Sequence, residues 1–196
     1  ISGKGSINNY LQLNIQNNSS GNNASSDLVA TANNGNETVN YVDLGINSST
    51  YSLASFNITG ANDAYLYSTG NDFAIGNATN NRVLKFFTGG TVAANERMRI
   101  DKDGNVAIGP TTFNATNPEL LLVDAGTTTS FNVISGKGTI NNYLQLNIQN
   151  SSSGSAASSD VVATANNGNE TVNYVNLGIN GGGNTSTGVL GGANTA

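Results

Sequence analysis

The chain of 196 residues is long enough for one ordinary domain or two small ones, and its 7 basic and 12 acidic side chains give a net charge of −5. Charged residues make up 10% of the sequence, against about 25% in ordinary soluble proteins, so amides, hydroxyls and glycines must form most of the surface. Cysteine, histidine and tryptophan are absent, which excludes thiol nucleophiles, imidazole metal sites, Ser-His-Asp triads and disulfide frameworks. We therefore expect a folded, β-rich, extracellular protein that has no cofactor and is not an enzyme.

The same composition limits the partners. An acidic charge balance does not fit a nucleic-acid partner, and no apolar run approaches the roughly 20 residues that span a bilayer. The sequence begins at Ile1 without the charged and apolar regions of a signal peptide, and the missing initiator Met suggests a piece of a longer chain. We expect neither nucleic acid nor a membrane as partner.

An internal repeat decides the organisation. Residues 1–47 return at 134–180 with an offset of 133, and 41 of the 47 positions are identical. The six differences exchange one apolar residue for another or a polar residue for a polar or small one. Both copies should therefore have the same backbone conformation. A period of 133 is too long for a solenoid repeat of roughly 20–50 residues. Each unit should therefore contain its own core, and the units should follow one another in series.

Alternation of apolar and polar residues predicts strands along the repeat. The clearest alternation is in residues 11–15, where Leu11, Leu13 and Ile15 share one face, and Val42, Leu44 and Ile46 form a second face of this kind. Further strands are predicted at 64–67, 73–75, 83–87, 97–100, 106–108 and 120–123. Turn signals rich in Asn and Gly separate them at 33–35, 69–72, 89–90 and 103–105. Only residues 93–98 could make a helical turn.

The predicted fold class is all-β, with tandem small antiparallel β modules of sandwich or prism-like form. We place one module at 1–60 and a second at 61–126, which contains a hairpin with an Asp-Gly turn. A linker follows at 127–133, and residues 134–180 form a partial second copy of the first module. After Asn180 the copies diverge, so residues 181–196 are predicted to be a variant loop or tail rich in Gly, Asn and Thr.

A candidate metal site lies in the Asp-Gly turn. Asp101, Asp103 and Asn105 place an oxygen-bearing side chain at every second position, with Gly104 between them, as in a fragment of a calcium loop. The rest of that loop is missing, because the twelfth position is Thr112 and strand patterns flank both sides. We favour a β-hairpin turn and keep an exposed calcium site as the alternative.

Four tyrosines are candidate glycan contacts. Tyr41, Tyr51, Tyr65 and Tyr67 stand among Asn and Asp residues, and such rings can bind sugars by stacking and amide hydrogen bonds. The alternative is that they are half-buried strand residues with a solvated hydroxyl. A carboxylate pair for glycoside cleavage is disfavoured, because most acidic residues adjoin turn residues instead of a pocket.

The string from Glu96 to Gly109, ERMRIDKDGNVAIG, concentrates six of the 19 charges. It resembles a motif of bacteriophage tail-fibre and related virion proteins, whose usual form is ERMRID, two residues, then GNVGIG. The matching residues that mark the motif are Arg97, Arg99, Asp101, Gly104, Asn105 and Gly109. The sequence departs from it by Ala107 where Gly is usual and by Pro110 before the threonines. Residues 23–49, 63–76 and 84–90 also resemble repeats of such fibres.

The resemblance implies an elongated, homotrimeric, β-structured fibre that projects from a virion and contributes to host-surface attachment. Its partners would be copies of itself, other virion proteins and a glycan of the host surface. The self-cleaving chaperone that often follows this motif is not in the sequence, so no catalytic residue is carried over. Two alternatives stay open: a bacterial or archaeal extracellular filament or adhesin, at the cell surface or secreted, and a glycan-binding module.

Overall fold

The computed structural model describes residues 3–109, 111–169, 171–185 and 192–195, and in this part the chain is all-β. The strands are β1 (Ser25–Thr31), β2 (Tyr41–Asn47), β3 (Ala64–Thr69), β4 (Leu84–Phe87), β5 (Glu96–Ile100), β6 (Val106–Ile108), β7 (Leu121–Val123), β8 (Ser158–Thr164) and β9 (Tyr174–Asn180). One turn of 3-10 helix, Ala93–Asn95, precedes β5 and lies within the helical turn predicted at 93–98. The described residues contain no helix long and apolar enough to cross a bilayer.

The first sheet is an antiparallel meander in the order β1-β2-β3. Its central strand, β2, pairs along its whole length with β1, from Tyr41 opposite Thr31 to Asn47 opposite Ser25. The turn between β1 and β2 is closed by a 2.9 Å bond from the Gly35 N–H to the Ala32 carbonyl, as the Asn-Asn-Gly sequence predicts.

The second sheet has the order β4-β5-β6-β7. Strands β5 and β6 form the hairpin predicted around the Asp-Gly turn, and Gly104 adopts a φ of 89° there, which only glycine accepts without strain. Strand β7 pairs with β6 in parallel, so this sheet is not purely antiparallel as predicted. The parallel pairing follows from the long connection between these two strands, since parallel neighbours cannot be joined by a tight turn.

The third sheet repeats the first. Strands β8 and β9 pair with the same register as β1 and β2, with every residue number raised by 133, so the predicted common backbone is confirmed. The equivalence extends beyond Asn180, because the bond from the Ser52 N–H to the Asn22 carbonyl recurs between Thr185 and Ser155. The sequence divergence after Asn180 therefore leaves the loop backbone unchanged as far as residue 185.

Two of the predicted strands are wrong. Residues 11–15 have the strongest alternation, yet the structure describes them as an extended segment outside every sheet, and residues 73–75 are likewise not a strand. Among the residues that the structure describes, neither segment has a neighbouring strand with which to form a ladder. Strand β1 was not predicted, because Ser25–Thr31 combines three polar residues at its start with an uninterrupted apolar run.

The described chain divides into two compact units, Ile1–Thr129 and Ser130–Ala196. The boundary predicted between residues 60 and 61 passes through the connection between two paired strands, since β3 completes the sheet of β1 and β2. Buried apolar side chains are few: Tyr51, Ala107 and Ala157 among the described residues. Among the described residues, the sheets therefore have only a small apolar core.

Candidate functional site

The β1-β2-β3 sheet has one face on which three leucines form a row across the strands. Leu28 pairs with Leu44, and Leu44 pairs with Leu66. Their exposed fractions are 58%, 53% and 51%. Direct cross-strand partners lie on the same side of a sheet, so these side chains form one surface with the rows beside them. We call it the leucine face; it consists of Ser26, Leu28, Ala30, Val42, Leu44, Ile46, Ala64, Leu66 and Ser68.

The opposite face of the same sheet is mostly polar, and on the central strand β2 it is the buried one. Asp43, Gly45 and Asn47 of β2 are buried, whereas Leu44 and Ile46 between them are exposed. An antiparallel sheet with one solvated face normally turns its apolar side chains inward. The reversal here means that the leucine face is not covered by the chain's own described residues.

The second copy of the repeat has the same exposed face. Val161 pairs with Leu177, and these side chains are 52% and 75% exposed. Val175 and Ile179, on the same side of β9, are 72% and 50% exposed. Because the feature recurs at the same register, it belongs to the repeat and not to one accidental packing.

The extended segment before each sheet adds further apolar surface. Leu11, Leu13 and Ile15 are 61%, 76% and 47% exposed. The end of the segment is fixed to β1, because the Asn17 N–H donates to the hydroxyl oxygen of Ser26 at 2.8 Å. The equivalent bond from Asn150 to Ser159 is also 2.8 Å long.

The tyrosines predicted as glycan contacts are brought together on the polar face, with the exception of Tyr51. The hydroxyls of Tyr41 and Tyr67 are 2.7 Å apart, and Tyr65 donates its hydroxyl to Asp27. The rings of Tyr65 and Tyr67 both pack on Phe56, with centroids 5.4 and 5.1 Å away. Burial is the main reason that the pKa of Tyr65 and that of Tyr67 are raised.

These contacts limit what the tyrosines can offer to a sugar. Three of the hydroxyls already have protein partners, and Tyr51 is only 8% exposed, which leaves little ring surface for stacking. An open cleft of about 540 Å³ borders Tyr41, Asn34 and Asn40 at the end of the sheet. A cleft of about 360 Å³ recurs beside Tyr174 in the second copy. Tyr41 is thus the tyrosine best placed for a glycan.

A pair of carboxylates lies on the polar face beside the tyrosines. Asp27 is opposite Gly45 and Asp43 is opposite Val29, so the two carboxylates are diagonal neighbours on adjacent strands. The Oδ1 atom of Asp43 is buried and has no hydrogen-bond partner among the described residues. Burial, and then the charge of Asp27, raises the pKa of Asp43 above its ordinary value.

The second copy replaces this pair by a hydrogen-bonded one. Asn176 stands at the position of Asp43, and its Nδ2 donates to Oδ1 of Asp160, the counterpart of Asp27, at 2.9 Å. The two positions can therefore touch across the strands. The first copy thus places two carboxylates at this contact, and the second copy places an amide beside a carboxylate. Comparison of the two sequences shows the Asp-to-Asn change but not that it creates a hydrogen bond.

The charged motif is built around Glu96, which is 9% exposed. Glu96 accepts from Nε of Arg99 and forms a 2.9 Å ion pair with Lys85, and these two cations are opposite each other on β5 and β4. Arg99 also donates to the Thr111 carbonyl at 2.7 Å. The hydrogen bond from Arg99 is the main reason that the pKa of Glu96 is lowered.

The remaining motif residues shape the hairpin. Arg97 donates to the Ala94 carbonyl at 3.1 Å and so holds the 3-10 turn against β5. Gly109 has a φ of 96°, and a Cβ atom there would collide with the backbone carbonyl oxygen of Asp124. Pro110, where the sequence departs from the usual motif, lies outside the described residues. Through these contacts the motif residues hold the hairpin against the neighbouring turn and strand.

The predicted calcium ligands use their oxygens within the turn. Asp101 Oδ1 accepts from the N–H groups of Asp103 and Asn105 at 2.9 Å, and its Oδ2 accepts from the Asn105 side chain at 3.0 Å. The Asp103 carboxylate pairs with Lys102 at 2.5 Å. Within the described part of the chain, no group of three or more acidic side chains could hold a metal ion. The arrangement is that of a closed hairpin turn.

Sequence reasoning missed the two features that stand out in the structure. The leucine face was predicted only as an apolar strand face on β2, and its exposure requires knowledge of what covers it. Glu96 was noted as one charge among six, although its burial makes it the centre of the cluster. No protein-family model matches the chain, and no curated protein matches it.

Proposed function

We propose that the chain is a section of the shaft of an extracellular fibre, of the bacteriophage tail or virion type, that contributes to host-surface attachment. One observation carries the proposal: both copies of the tandem repeat leave the apolar face of a sheet exposed, and in the first copy the central strand buries its polar side chains instead. A protein that functioned as a monomer would gain stability by covering this surface itself. A shaft subunit covers it with neighbouring chains.

The exposed area supports association. The chain exposes 15895 Å² for a mass of 20.0 kDa. Two separate compact units with the same total mass would expose about 10,000 Å². The chain thus exposes more surface than compact units of its mass, as expected of a chain that is completed by its neighbours.

The resemblance of the Glu96 to Gly109 string to tail-fibre motifs supports the biological setting and a threefold assembly. In this chain the motif residues form a closed hairpin in which Glu96 is paired with Arg99 and Lys85, which suits a rigid spacer better than a binding loop. Adding repeats would lengthen such a shaft without new chemistry. Attachment would then depend on loops or on a distal part of the fibre.

A weak glycan-binding role is the second candidate, because the cleft beside Tyr41 recurs beside Tyr174. It predicts retention of the chain on immobilised host polysaccharide. Loss of that retention in the double variant Tyr41→Ala, Tyr174→Ala would support the cleft, and equal retention of both proteins would exclude it.

Small-angle X-ray scattering with multi-angle light scattering tests the fibre proposal. We expect an elongated oligomer whose mass is a multiple of 20.0 kDa. A compact 20.0 kDa particle at micromolar concentration would contradict the proposal.

A further inference from the structure

The leucine face, together with the extended segment that precedes it, is the strongest unexplained surface of the molecule. In the second copy a groove of about 240 Å³ lies between the two, bordered by the apolar residues Leu146, Ile148, Val161, Leu177 and Ile179 and, on its other walls, by Asn147, Ser159, Asp160 and Gly178. The segment and the sheet thus contribute to one surface in that copy. At the positions equivalent to these five apolar residues, the first copy has the same residues with one exception: Leu28 stands where the second copy has Val161.

The chemistry of this surface restricts its partner. The nine residues of the leucine face are aliphatic or carry a hydroxyl, and none of the nine is charged. The nearby segment Leu11, Leu13 and Ile15 alternates only with amide side chains. A charged partner would lose hydration on such a surface without gaining an ion pair. When a surface of the same composition binds, no charged group loses its hydration. Apolar area is then removed from water on both partners.

The repeat then favours a second copy of this chain. Each chain carries the part of this surface that lies on β1 and β2 twice, since β8 and β9 repeat it 133 residues later. Chains that run in parallel and in register place like surface against like surface at both positions at once. Chains staggered by one repeat can match only one of their two surfaces with the same neighbour, and they leave the other exposed. Antiparallel chains would place the three-stranded surface of one chain against the two-stranded surface of the other and leave part of the larger one exposed. Parallel, in-register packing thus buries the most apolar area per chain.

We propose that the leucine face and the segment at residues 11–15 form the interface between parallel, in-register copies of this chain. The inference rests on the proposed fibre function and adds to it the surface and the register of association. The open edge of β1 and the segment near it lie at the margin of this interface, where a neighbouring chain could supply hydrogen bonds.

Charge substitution tests the surface. Leu44→Lys places an ammonium group in the middle of the leucine row, and the double variant Leu44→Lys, Leu177→Lys does so in both copies. Ile58→Lys is the matched control, because Ile58 is 84% exposed and lies outside the leucine face. We expect the double variant to reduce the oligomer to monomers at concentrations where the parent and Ile58→Lys remain associated.

Cross-linking tests the register and does not depend on the stability of those variants. The chain has no cysteine, so Leu44→Cys introduces a single thiol. Oxidation should give a covalent dimer on a non-reducing gel for Leu44→Cys and for Leu177→Cys, but not for Ile58→Cys. When Leu44→Cys and Leu177→Cys chains are mixed, the in-register arrangement predicts homodimers only.

The outcomes separate this inference from the fibre proposal. A parent chain that is oligomeric while the lysine and cysteine variants behave like their Ile58 controls would overturn the interface and leave the fibre proposal standing. Mixed dimers between position 44 and position 177 would overturn the register. A parent chain that is monomeric would overturn both.

Discussion

Replacing Asp43 by asparagine should stabilise the first sheet, because the second copy contains that replacement. In the parent, Oδ1 of Asp43 is buried without a partner, while Asn176 donates to Asp160 at 2.9 Å. Asp43→Asn should create the equivalent bond to Asp27. A hydrogen bond to a charged acceptor contributes about 2 kcal/mol, which corresponds to a roughly 30-fold smaller equilibrium constant for opening of the sheet at pH 7.

The effect should depend on pH in a defined direction. The pKa of Asp43 is raised in the folded chain above its ordinary value of 3.8. Between these two values the folded state binds more protons than the unfolded state, so parent stability falls as pH rises through this window and is constant above it. The advantage of Asp43→Asn should therefore shrink as pH falls toward 3.8, where a protonated Asp43 can itself donate to Asp27.

Hydrogen exchange with mass spectrometry measures both copies in one molecule. Peptides from β1 and β2 should gain protection in Asp43→Asn, while those from β8 and β9 stay unchanged. The reciprocal variant Asn176→Asp should lower the protection of β8 and β9 only. Unchanged protection of β1 and β2 in Asp43→Asn at pH 7, or a gain that does not vary with pH, would refute the reasoning.

Three further predictions concern the charged hairpin. Glu96→Gln should lower the unfolding free energy by about 2 kcal/mol, because it leaves Arg99 and Lys85 without their buried anion; since the pKa of Glu96 is lowered, urea titrations should show this difference above its ordinary value of 4.5 and lose it as pH falls through the folded value. Gly109→Ala should destabilise more than Gly104→Ala, which costs about 1 kcal/mol of backbone strain, because only at Gly109 does a Cβ meet the backbone; equal thermal shifts would contradict this. Millimolar Ca²⁺ should leave the melting temperature unchanged, since the Asp101 oxygens are already occupied, and an increase would restore the calcium alternative.

The sequence predicted the hairpin of β5 and β6 and the equivalence of the two copies, but it missed β1, whose partner β2 is also close in the chain. The hairpin of β5 and β6 follows from alternation on both sides of an Asp-Gly turn, and the repeat predicts the shared register of the two copies. These are local signals that need no knowledge of the surroundings.

Two of the errors have one physical cause. Residues 11–15 alternate like a strand, but a strand forms only where another offers its backbone groups. The described part of the chain supplies no such neighbour for them. Leu44 marks an apolar face correctly, yet alternation does not say which face of a sheet its own chain covers. Both errors concern surfaces that lie open in the isolated chain, as expected if association completes them.

An electron cryomicroscopy density map of the purified chain tests the central claim most directly. We expect several chains, three by the resemblance to tail fibres, arranged in parallel around one axis with Leu44 and Leu177 turned toward their neighbours. Single chains with both leucine faces in contact with solvent would contradict the account.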